Sequence, residues 1–170
     1  MLNLLGGGLQ PLLSGHCRVA IIGSLPDIPA GCLSEFLMTI PAVAVVSPEH
    51  PLAKLAVPVL RSVAEDYVQL VLADRSPLTV GRNFGVMSAK TWRLGDMGAK
   101  HAFLRAGLGW GYMPLPVVKQ DLANGTLVTL NLEVQPDIGT GFSMHALHLI
   151  EYPPGPAGRW FVNMLKKTLI

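Results

Sequence analysis

Residues 95–114 read GDMGAKHAFLRAGLGWGYMP and predict a helix, a tight turn and a strand, in that order. Asp96 stands where a helix N-cap is expected, and Gly107 stands where a helix commonly ends in left-handed geometry. The strand over Trp110–Met113 is then stopped by Pro114. The apolar positions of the helix recur at helical spacing, at Ala99, Ala102, Phe103 and Ala106.

The glycine-rich run at 107–111 does not predict a phosphate-binding loop. A phosphate cradle follows a strand and opens a helix, whereas here the helix comes first and the strand second. The sequence also contains no Walker motif, no HExxH helix and no Gly-x-Ser-x-Gly elbow. These patterns indicate a structural turn, and they predict neither catalytic residues nor a cofactor.

Composition excludes several other classes of protein. The chain has 170 residues, of which 50% are hydrophobic and 14% charged, so it is a folded domain rather than a disordered segment. The net charge is +2 and the basic residues are scattered, which argues against direct binding of nucleic acid by this chain. Neither a membrane span nor a signal peptide is visible, so a cytoplasmic location without membrane contact is expected.

The cysteines and histidines do not predict a disulfide framework or a metal site. Cys17 and Cys32 are too few for such a framework, so we expect reduced thiols. His145 and His148 are three apart on a predicted strand and therefore point to opposite faces. The five histidines form no cluster in the sequence, and no metal is predicted.

Strands and helices alternate along the chain, which predicts an α/β fold. Arg18–Ile22 is a continuous apolar run typical of a strand buried on both faces, as in a parallel sheet. Leu33–Ser47 is β-like but contains Pro41, which predicts two strand pieces with a bend, or an edge position. The long excursion over 33–142 predicts two lobes joined by crossing strands. The last predicted element is an amphipathic helix over Gly158–Leu169. One side of this helix carries Trp160, Phe161, Met164 and Leu165.

Residues 95–114 resemble the signature helix–turn–strand of the effector-binding domain of LysR-type transcriptional regulators. Three further stretches resemble that family in the same order along the chain. Residues 12–23 resemble its helix–glycine–strand unit, although Arg18 stands where an acidic residue is usual. Residues 45–53 resemble its strand and His-Pro-Leu turn, and residues 121–128 resemble its later helix–turn–strand. Together these four motifs identify the chain as a member of the family.

The resemblance implies a fold of the type 2 periplasmic-binding-protein class, with two Rossmann-like lobes joined by crossing strands. Lobe I is expected over 1–37 and 136–170, and lobe II over 38–135. Compared with the family, the chain is expected to be N-terminally truncated. The resemblance implies that this sequence does not include the winged helix-turn-helix domain, its linker helix or the opening β-α-β part of lobe I, so lobe I is expected to be incomplete.

The resemblance also implies where an effector lies, namely in the cleft between the lobes. By position, the expected ligand-binding residues are Gly23, Ser24, Trp92, Arg93, Leu94, Gly95 and Asp96. Trp92 is a candidate wall and Arg93 a candidate anion partner, although ordinary packing and a surface charge explain them equally. Asp96 opposes a bare anion at the helix N-terminus. The ligand therefore binds through Arg93 and backbone groups, or it turns a polar or cationic group toward Asp96.

The function implied is effector sensing by a bacterial transcription regulator. A small organic acid or other metabolite would bind this domain and control DNA binding by the full-length protein, through its missing N-terminal domain. The alternatives are a free-standing solute-binding protein of the same fold and a small α/β enzyme. Because the truncation leaves an apolar sheet edge and helix-packing surface uncovered, self-association is also expected.

Overall fold

The computed structural model describes residues 9–23, 28–73, 85–133 and 141–168. The helices are α1 (Gln10–Leu13), α2 (Arg61–Ala64), α3 (Met97–Arg105), α4 (Leu115–Asn124) and α5 (Pro156–Thr168), with a 3-10 turn over Pro51–Lys54. The strands are β1 (Ala20–Gly23), β2 (Cys32–Val46), β3 (Gln69–Leu72), β4 (Thr91–Leu94), β5 (Trp110–Pro114), β6 (Val128–Thr129) and β7 (Gly141–Leu149). The mixed α/β class predicted from the sequence is confirmed.

These residues form two compact units. The terminal unit contains the described residues of 9–39 and 142–168, and the central unit contains those of 40–73 and 85–141. The terminal unit thus joins the two ends of the described chain, while the central unit is built from its middle. The lobe boundaries predicted at 37/38 and 135/136 stay predictions.

The terminal unit is organised around the strand order β1-β7-β2. β1 runs antiparallel to β7, with Ile22 opposite His145 and Gly23 opposite Met144. The sequence predicted a strand at 18–22 of the kind found in parallel sheets, and the antiparallel pairing with β7 shows that this direction was wrong. An apolar run predicts burial of a strand, but it does not predict the direction of the neighbouring strand. The core of this unit combines α1 with the strands and contains Leu9, Leu12, Ala20, Ile22, Cys32 and Leu147.

β2 is one unbroken strand that passes through Pro41. From Pro41 we expected either two strand pieces with a bend or a strand at the edge of the sheet. The first of these expectations is wrong, because the strand is continuous. The two parts of β2 nevertheless belong to different units, since the division falls between Thr39 and Ile40. Pro41 itself is exposed, and the antiparallel ladder with β5 begins just after it, at Ala42.

The central unit has the strand order β6-β2-β5-β3-β4. β3 runs parallel to both β4 and β5, whereas β2 is antiparallel to β5 and to β6. One core cluster contains residues of β2, β3 and β5 together with α3, α4 and the turn after α4, namely Val45, Leu70, Leu104, Met113, Val118 and Leu127. A second cluster is centred on Trp110, which is fully buried and donates its indole N–H to the carbonyl of Ala64.

The buried stripe of α3 differs from the one predicted. Ala102 and Ala106 are exposed, while the buried positions of the helix are Lys100 and Leu104. Alanine was counted as apolar in the sequence pattern, but its small side chain does not need to face the core. The side chain of Lys100 is 5% exposed and donates to the carbonyl oxygen of Tyr112 at 2.7 Å.

The turn that follows α3 confirms the structure predicted for the glycine-rich run. Gly107 has a φ of +72°, and the amides of Gly107 and Leu108 bond to the carbonyls of Leu104 and Phe103. This is the pattern of a helix closed by a left-handed residue.

Gly107→Ala is expected to lower the free energy of unfolding by about 1 kcal/mol. An added Cβ meets only Ser47, at 3.6 Å, so the cost comes from the left-handed backbone and not from a clash. Urea unfolding of both proteins measures the effect. An unchanged midpoint would show that the backbone here adapts to alanine without cost.

Helix α5 is amphipathic, as predicted, but its apolar side is not buried. Val162 is the buried position of this helix, whereas Trp160 is 64% exposed, and Phe161 and Met164 are exposed as well. The sequence predicted only that these large side chains share one side of the helix. They present an apolar surface to solvent.

Candidate functional site

The parallel strands of the central unit end at one edge of its sheet. β3 ends before Ala73, β4 ends before Gly95, and β5 leads directly into α4 at Leu115. In open α/β sheets, ligands bind outside the carboxyl ends of the strands. This edge is therefore the candidate binding region of the central unit.

Asp96 occupies the N-terminus of α3. Its carboxylate accepts a hydrogen bond from the amide of Ala99 at 2.8 Å, which makes it the N-cap that the sequence predicted. The positive end of the helix dipole is therefore already matched by a side chain of the protein itself. A second anion at this point would meet the Asp96 charge at close range.

The other candidates around Asp96 lie on β4 and directly after it. Trp92 is 45% exposed and meets Phe103 edge-on, with ring centroids 6.4 Å apart. Arg93 and Gly95 are exposed, whereas Leu94 packs against the core beside α3. The structure thus brings Trp92–Asp96 together at one end of the sheet, with Leu94 facing inward.

The two remaining candidates belong to the loop after β1. Gly23 is the last residue of β1, is buried and lies opposite Met144 of β7. Ser24 lies outside the described residues. Gly23 is a residue of the terminal unit, whereas residues 92–96 belong to the central unit.

A cavity of about 350 Å³ opens in the central unit where β2 and β6 separate. It is lined by Ala42, Val43, Ala44, Thr129, Leu130 and Asn131, and it includes none of the residues predicted from the sequence. Its size suits a small ligand. In the strand order β4 is three positions from β2, which is roughly 14 Å at the usual strand spacing.

The terminal unit contains a polar pair that sequence reasoning missed. The hydroxyl of Ser34 on β2 lies 2.9 Å from Nδ1 of His145 on β7, and Phe36 meets the same imidazole edge-on at 5.6 Å. Burial lowers the pKa of His145 below its usual value, so the ring is neutral at pH 7. The pair is separated by 111 residues in sequence, and no local motif signals it.

A buried carboxylate joins α3 to α4. Asp121 is 7% exposed and meets Nε2 of His101 at 2.7 Å and Nε of Arg105 at 3.2 Å. Both basic side chains come from α3, whereas Asp121 lies on α4. These contacts orient the signature helix against its neighbour, and they therefore support the position of Asp96 indirectly.

The described ranges contain neither a cluster of metal ligands nor a membrane-spanning helix. Within them, no group of three or more His, Cys, Asp and Glu side chains is placed to hold a metal ion. The same part of the chain has no helix that is both long and apolar enough to cross a membrane. Cys17 and Cys32 are free thiols, and burial raises the pKa of the Cys32 thiol.

Comparisons with known proteins agree with this architecture. The family model described as the LysR substrate binding domain matches residues 6–170. The CrgA regulatory domain of Neisseria meningitidis, a LysR-type transcriptional regulator, superposes with a TM-score of 0.67 at 18% identity, over 97% of this chain and 81% of that one. A comparison with curated protein sequences gave no significant match.

Two further similar structures contain ligands. The CcmR regulatory domain of Synechocystis PCC6803, in complex with 2-PG, gives a TM-score of 0.71 at 14% identity, over 93% of this chain and 76% of that one. The effector-binding domain of QuiR, in complex with shikimate, gives a TM-score of 0.68 at 18% identity, over 94% of this chain and 75% of that one. At these identities the likeness concerns the fold, which is that of periplasmic-binding-protein-like domains.

Proposed function

Since the chain belongs to the LysR substrate-binding-domain family, we propose that it is the effector-sensing part of a transcription regulator and binds a small organic acid. The match of the family model over residues 6–170 carries this proposal. The ligands of two similar structures, 2-PG and shikimate, make small metabolites the first class to test.

The proposed mechanism is a shift between conformations of the full-length regulator. An effector that binds one conformation more tightly raises the population of that conformation, and DNA binding by the complete protein changes accordingly. The N-terminal DNA-binding domain expected from the family would contact the DNA, whereas this chain would supply the sensor. That the effector lies between the two lobes stays a prediction from the family resemblance.

We propose that Trp92, Arg93 and Asp96 contact the effector in the central unit. Trp92 is exposed and offers an apolar ring, and Arg93 lies next to it on the strand that leads to α3. Because Asp96 already caps the helix, it would select a ligand whose polar group faces it rather than a carboxylate placed directly at the helix end.

Isothermal titration of the chain with a panel of small acids, including shikimate, tests the proposal. At least one acid is expected to bind. Asp96→Asn is expected to strengthen the binding of that acid several-fold, since it removes a negative charge while an oxygen remains to cap the helix. Glu133→Gln is the control, because it removes one negative charge as well, at an exposed position that follows β6 at the opposite edge of the sheet from β4.

Two results would contradict this proposal. If no acid in the panel binds at millimolar concentration, the chain is not a sensor of such acids. If an acid binds but its affinity is the same in Asp96→Asn as in Glu133→Gln, the ligand lies away from the N-terminus of α3.

The alternatives differ in what they require. A free-standing solute-binding protein would be exported, whereas the proposed regulator acts in the cytoplasm, where the DNA is. An enzyme would require a nucleophile with an oriented base. The Ser34–His145 pair offers a hydroxyl and an imidazole, yet within the described ranges no carboxylate orients the imidazole. The family is one of regulatory ligand-binding domains, and we infer a non-catalytic role.

We also propose that the chain self-associates through the terminal unit. Exposed apolar side chains are concentrated there, among them Phe36, Ile150, Tyr152, Trp160, Phe161 and Met164. Large exposed apolar surfaces are unusual on monomers and commonly mark interaction sites. Light scattering over a range of concentrations measures the association, and a strictly monomeric species at high concentration would contradict it.

A further inference from the structure

A buried lysine lies behind the edge at which the parallel strands of the central unit end. Lys100 belongs to the first turn of α3 and is 5% exposed. Its ammonium group donates to the carbonyl oxygen of Tyr112 on β5 at 2.7 Å. Gly111 leaves space for it, because a Cβ at that position would lie 3.3 Å from Cε of Lys100. The positive charge of Lys100 is therefore held beneath the surface, against a strand in the middle of the sheet.

The charge of Lys100 has no carboxylate partner in the described part of the chain. The carboxylate of Asp96 caps α3 through the amide of Ala99. That of Asp121 on α4 is paired with two other side chains of α3. An unpaired buried charge costs stability, and groups kept at such a cost are typical of functional sites. Lys100 is therefore a candidate for a role in ligand binding.

The ammonium group of Lys100 is close to the candidate binding region. Asp96 stands at the edge of the sheet, and the four helical steps from Asp96 to Lys100 span about 6 Å. On β5, Tyr112 is two residues before Pro114, where the strand ends, and this is about 7 Å at the usual rise of a strand. A carboxylate bound just outside the edge would then be roughly 10 Å from the ammonium group.

A buried charge at this distance still acts on a ligand. The surroundings of Lys100 are protein rather than salt water, so its field is weakly screened. For two unit charges roughly 10 Å apart, the attraction at the effective dielectric constant of a protein changes the affinity about tenfold. At the same edge, one oxygen of Asp96 caps the helix and the other can accept a hydrogen bond. The two groups together suit an acid that also carries a hydroxyl group.

We infer that Lys100 is a specificity-determining residue of the central unit, whose buried positive charge raises the affinity for a hydroxycarboxylic acid that binds at the N-terminus of α3. Lys100 is a positioning residue, since it attracts the carboxylate without touching it, while the hydroxyl group of the acid donates to Asp96. This inference rests on the proposed function, and it narrows the class of effector from small acids to hydroxy acids.

The binding of such an acid depends on pH. Burial lowers the pKa of Lys100 to about 8, so the ammonium group is charged at pH 7. A carboxylate nearby favours the charged form, and binding therefore raises this pKa. A tenfold effect on affinity corresponds to a rise of about one in the pKa. The affinity is expected to be constant well below pH 8 and to fall about tenfold as the pH rises through 8 and 9.

Other charged or titratable groups lie on the elements packed against Lys100. They are Arg93 of β4, Asp96, His101 and Arg105 of α3, Tyr112 of β5 and Asp121 of α4. The neighbouring strand β3 carries none. All of these groups stay in place when Lys100 alone is replaced, so a pH dependence that disappears with Lys100 belongs to its own ammonium group.

Nuclear magnetic resonance of the protein with 13C-labelled lysine tests the inference, with lactate as the probe. The spectrum of Lys100→Met identifies the Cε signal of Lys100, and the change of that signal with pH gives the pKa. Excess lactate is expected to raise this pKa by about one. Lactamide has nearly the same shape and the same hydroxyl group but no charge, and it is expected to leave the pKa unchanged.

Titration calorimetry with lactate separates the charge of Lys100 from its packing. Lys100→Met is expected to bind lactate about tenfold more weakly at pH 7, with no further fall between pH 8 and 9. Lys100→Arg keeps its charge at every pH, so it is expected to bind like the wild type at pH 7 and to lose the fall above pH 8. Lys119→Met, at an exposed position of α4, is the matched control and is expected to behave like the wild type.

The outcomes distinguish the inference from the proposed function. A pKa of Lys100 that lactate leaves unchanged, or equal binding of lactate by Lys100→Met and Lys119→Met, overturns the inference. If acids of the panel nevertheless bind and respond to Asp96→Asn, the proposed function stands without it. If lactate raises the pKa of Lys100 while a promoter controlled by the full-length protein responds to no acid, the inference stands and the sensor function is wrong.

Discussion

Lys100→Met is expected to stabilise the protein by about 2 kcal/mol at pH 7 and to remove most of the change in stability between pH 8 and 10. Lys100 is 5% exposed, and burial lowers its pKa from 10.5 to about 8. At pH 7 the folded protein must therefore keep a positive charge in an apolar place. The hydrogen bond to the Tyr112 carbonyl offsets only part of that cost.

The magnitude follows from the two pKa values. A difference of about 2.5 between the folded and the unfolded state corresponds to about 3 kcal/mol. Methionine has a similar volume and no charge, but it leaves the Tyr112 carbonyl without this donor, at a cost of about 1 kcal/mol. The expected net gain is therefore close to 2 kcal/mol.

The pH dependence has a defined sign. Between pH 8 and 10.5 the unfolded chain keeps the proton of Lys100 while the folded protein has released it, so stability rises with pH in this range. Burial also raises the pKa of Tyr112 to about 12, which makes stability fall above pH 10. Urea unfolding at intervals from pH 7 to 9.5 therefore isolates the contribution of Lys100.

Lys119→Met is the matched control. Lys119 is exposed on α4, and its replacement is expected to change stability by less than about 0.5 kcal/mol at each pH. Two results would contradict this prediction: a Lys100→Met protein that is less stable than the wild type, or one whose free energy of unfolding rises above pH 8 as much as that of the wild type. Either result would show that the folded protein does not bury a charged Lys100.

Gly111→Ala is expected to lower the free energy of unfolding by about 3 kcal/mol. A Cβ at this position would lie 2.6 Å from the carbonyl oxygen of Leu70 on β3 and 3.3 Å from Cε of Lys100. A backbone oxygen cannot rotate away as a side chain does, so β3 and β5 would have to separate. Since these strands pair in the middle of the central unit, the strain affects its core.

Gly155→Ala is the comparison for this second prediction. A Cβ at Gly155 would meet no atom within 4 Å, and we expect a change of less than about 0.5 kcal/mol. Thermal unfolding followed by circular dichroism measures both variants. Equal midpoints for Gly111→Ala and Gly155→Ala would mean that the sheet absorbs the added methyl group without separating.

The elements that the sequence predicted well are those with local signals. Asp96 and Gly107 mark the two ends of α3, because an N-cap and a left-handed C-terminus each depend on one residue type. β4 was missed, since Thr91–Leu94 is short and exposes Trp92 and Arg93 in succession, without the alternation of a half-buried strand.

The candidate site was only partly accessible to sequence reasoning. Trp92–Asp96 are consecutive, so their proximity required no knowledge of the fold. The contact between Ser34 and His145 depends instead on which strands are neighbours and on the register in which they pair. Neither can be predicted from the residues near Ser34 or near His145 in sequence. The same reason explains why Lys100 was not recognised as buried: its surroundings are β5 and Gly111, which lie beyond its own helix.

The division of the described chain into two units has a consequence for its synthesis. The strands of the central unit occur between residues 40 and 129, whereas β1 and the first part of β2 must wait for β7 at 141–149. Proteins emerge from the ribosome N-terminus first, and pairing over a long sequence separation is slow. The central unit therefore completes its sheet on the nascent chain first, although the terminal unit is begun earlier. During that interval β1 and the apolar side chains around it have no partner strand, and such exposed surfaces favour aggregation.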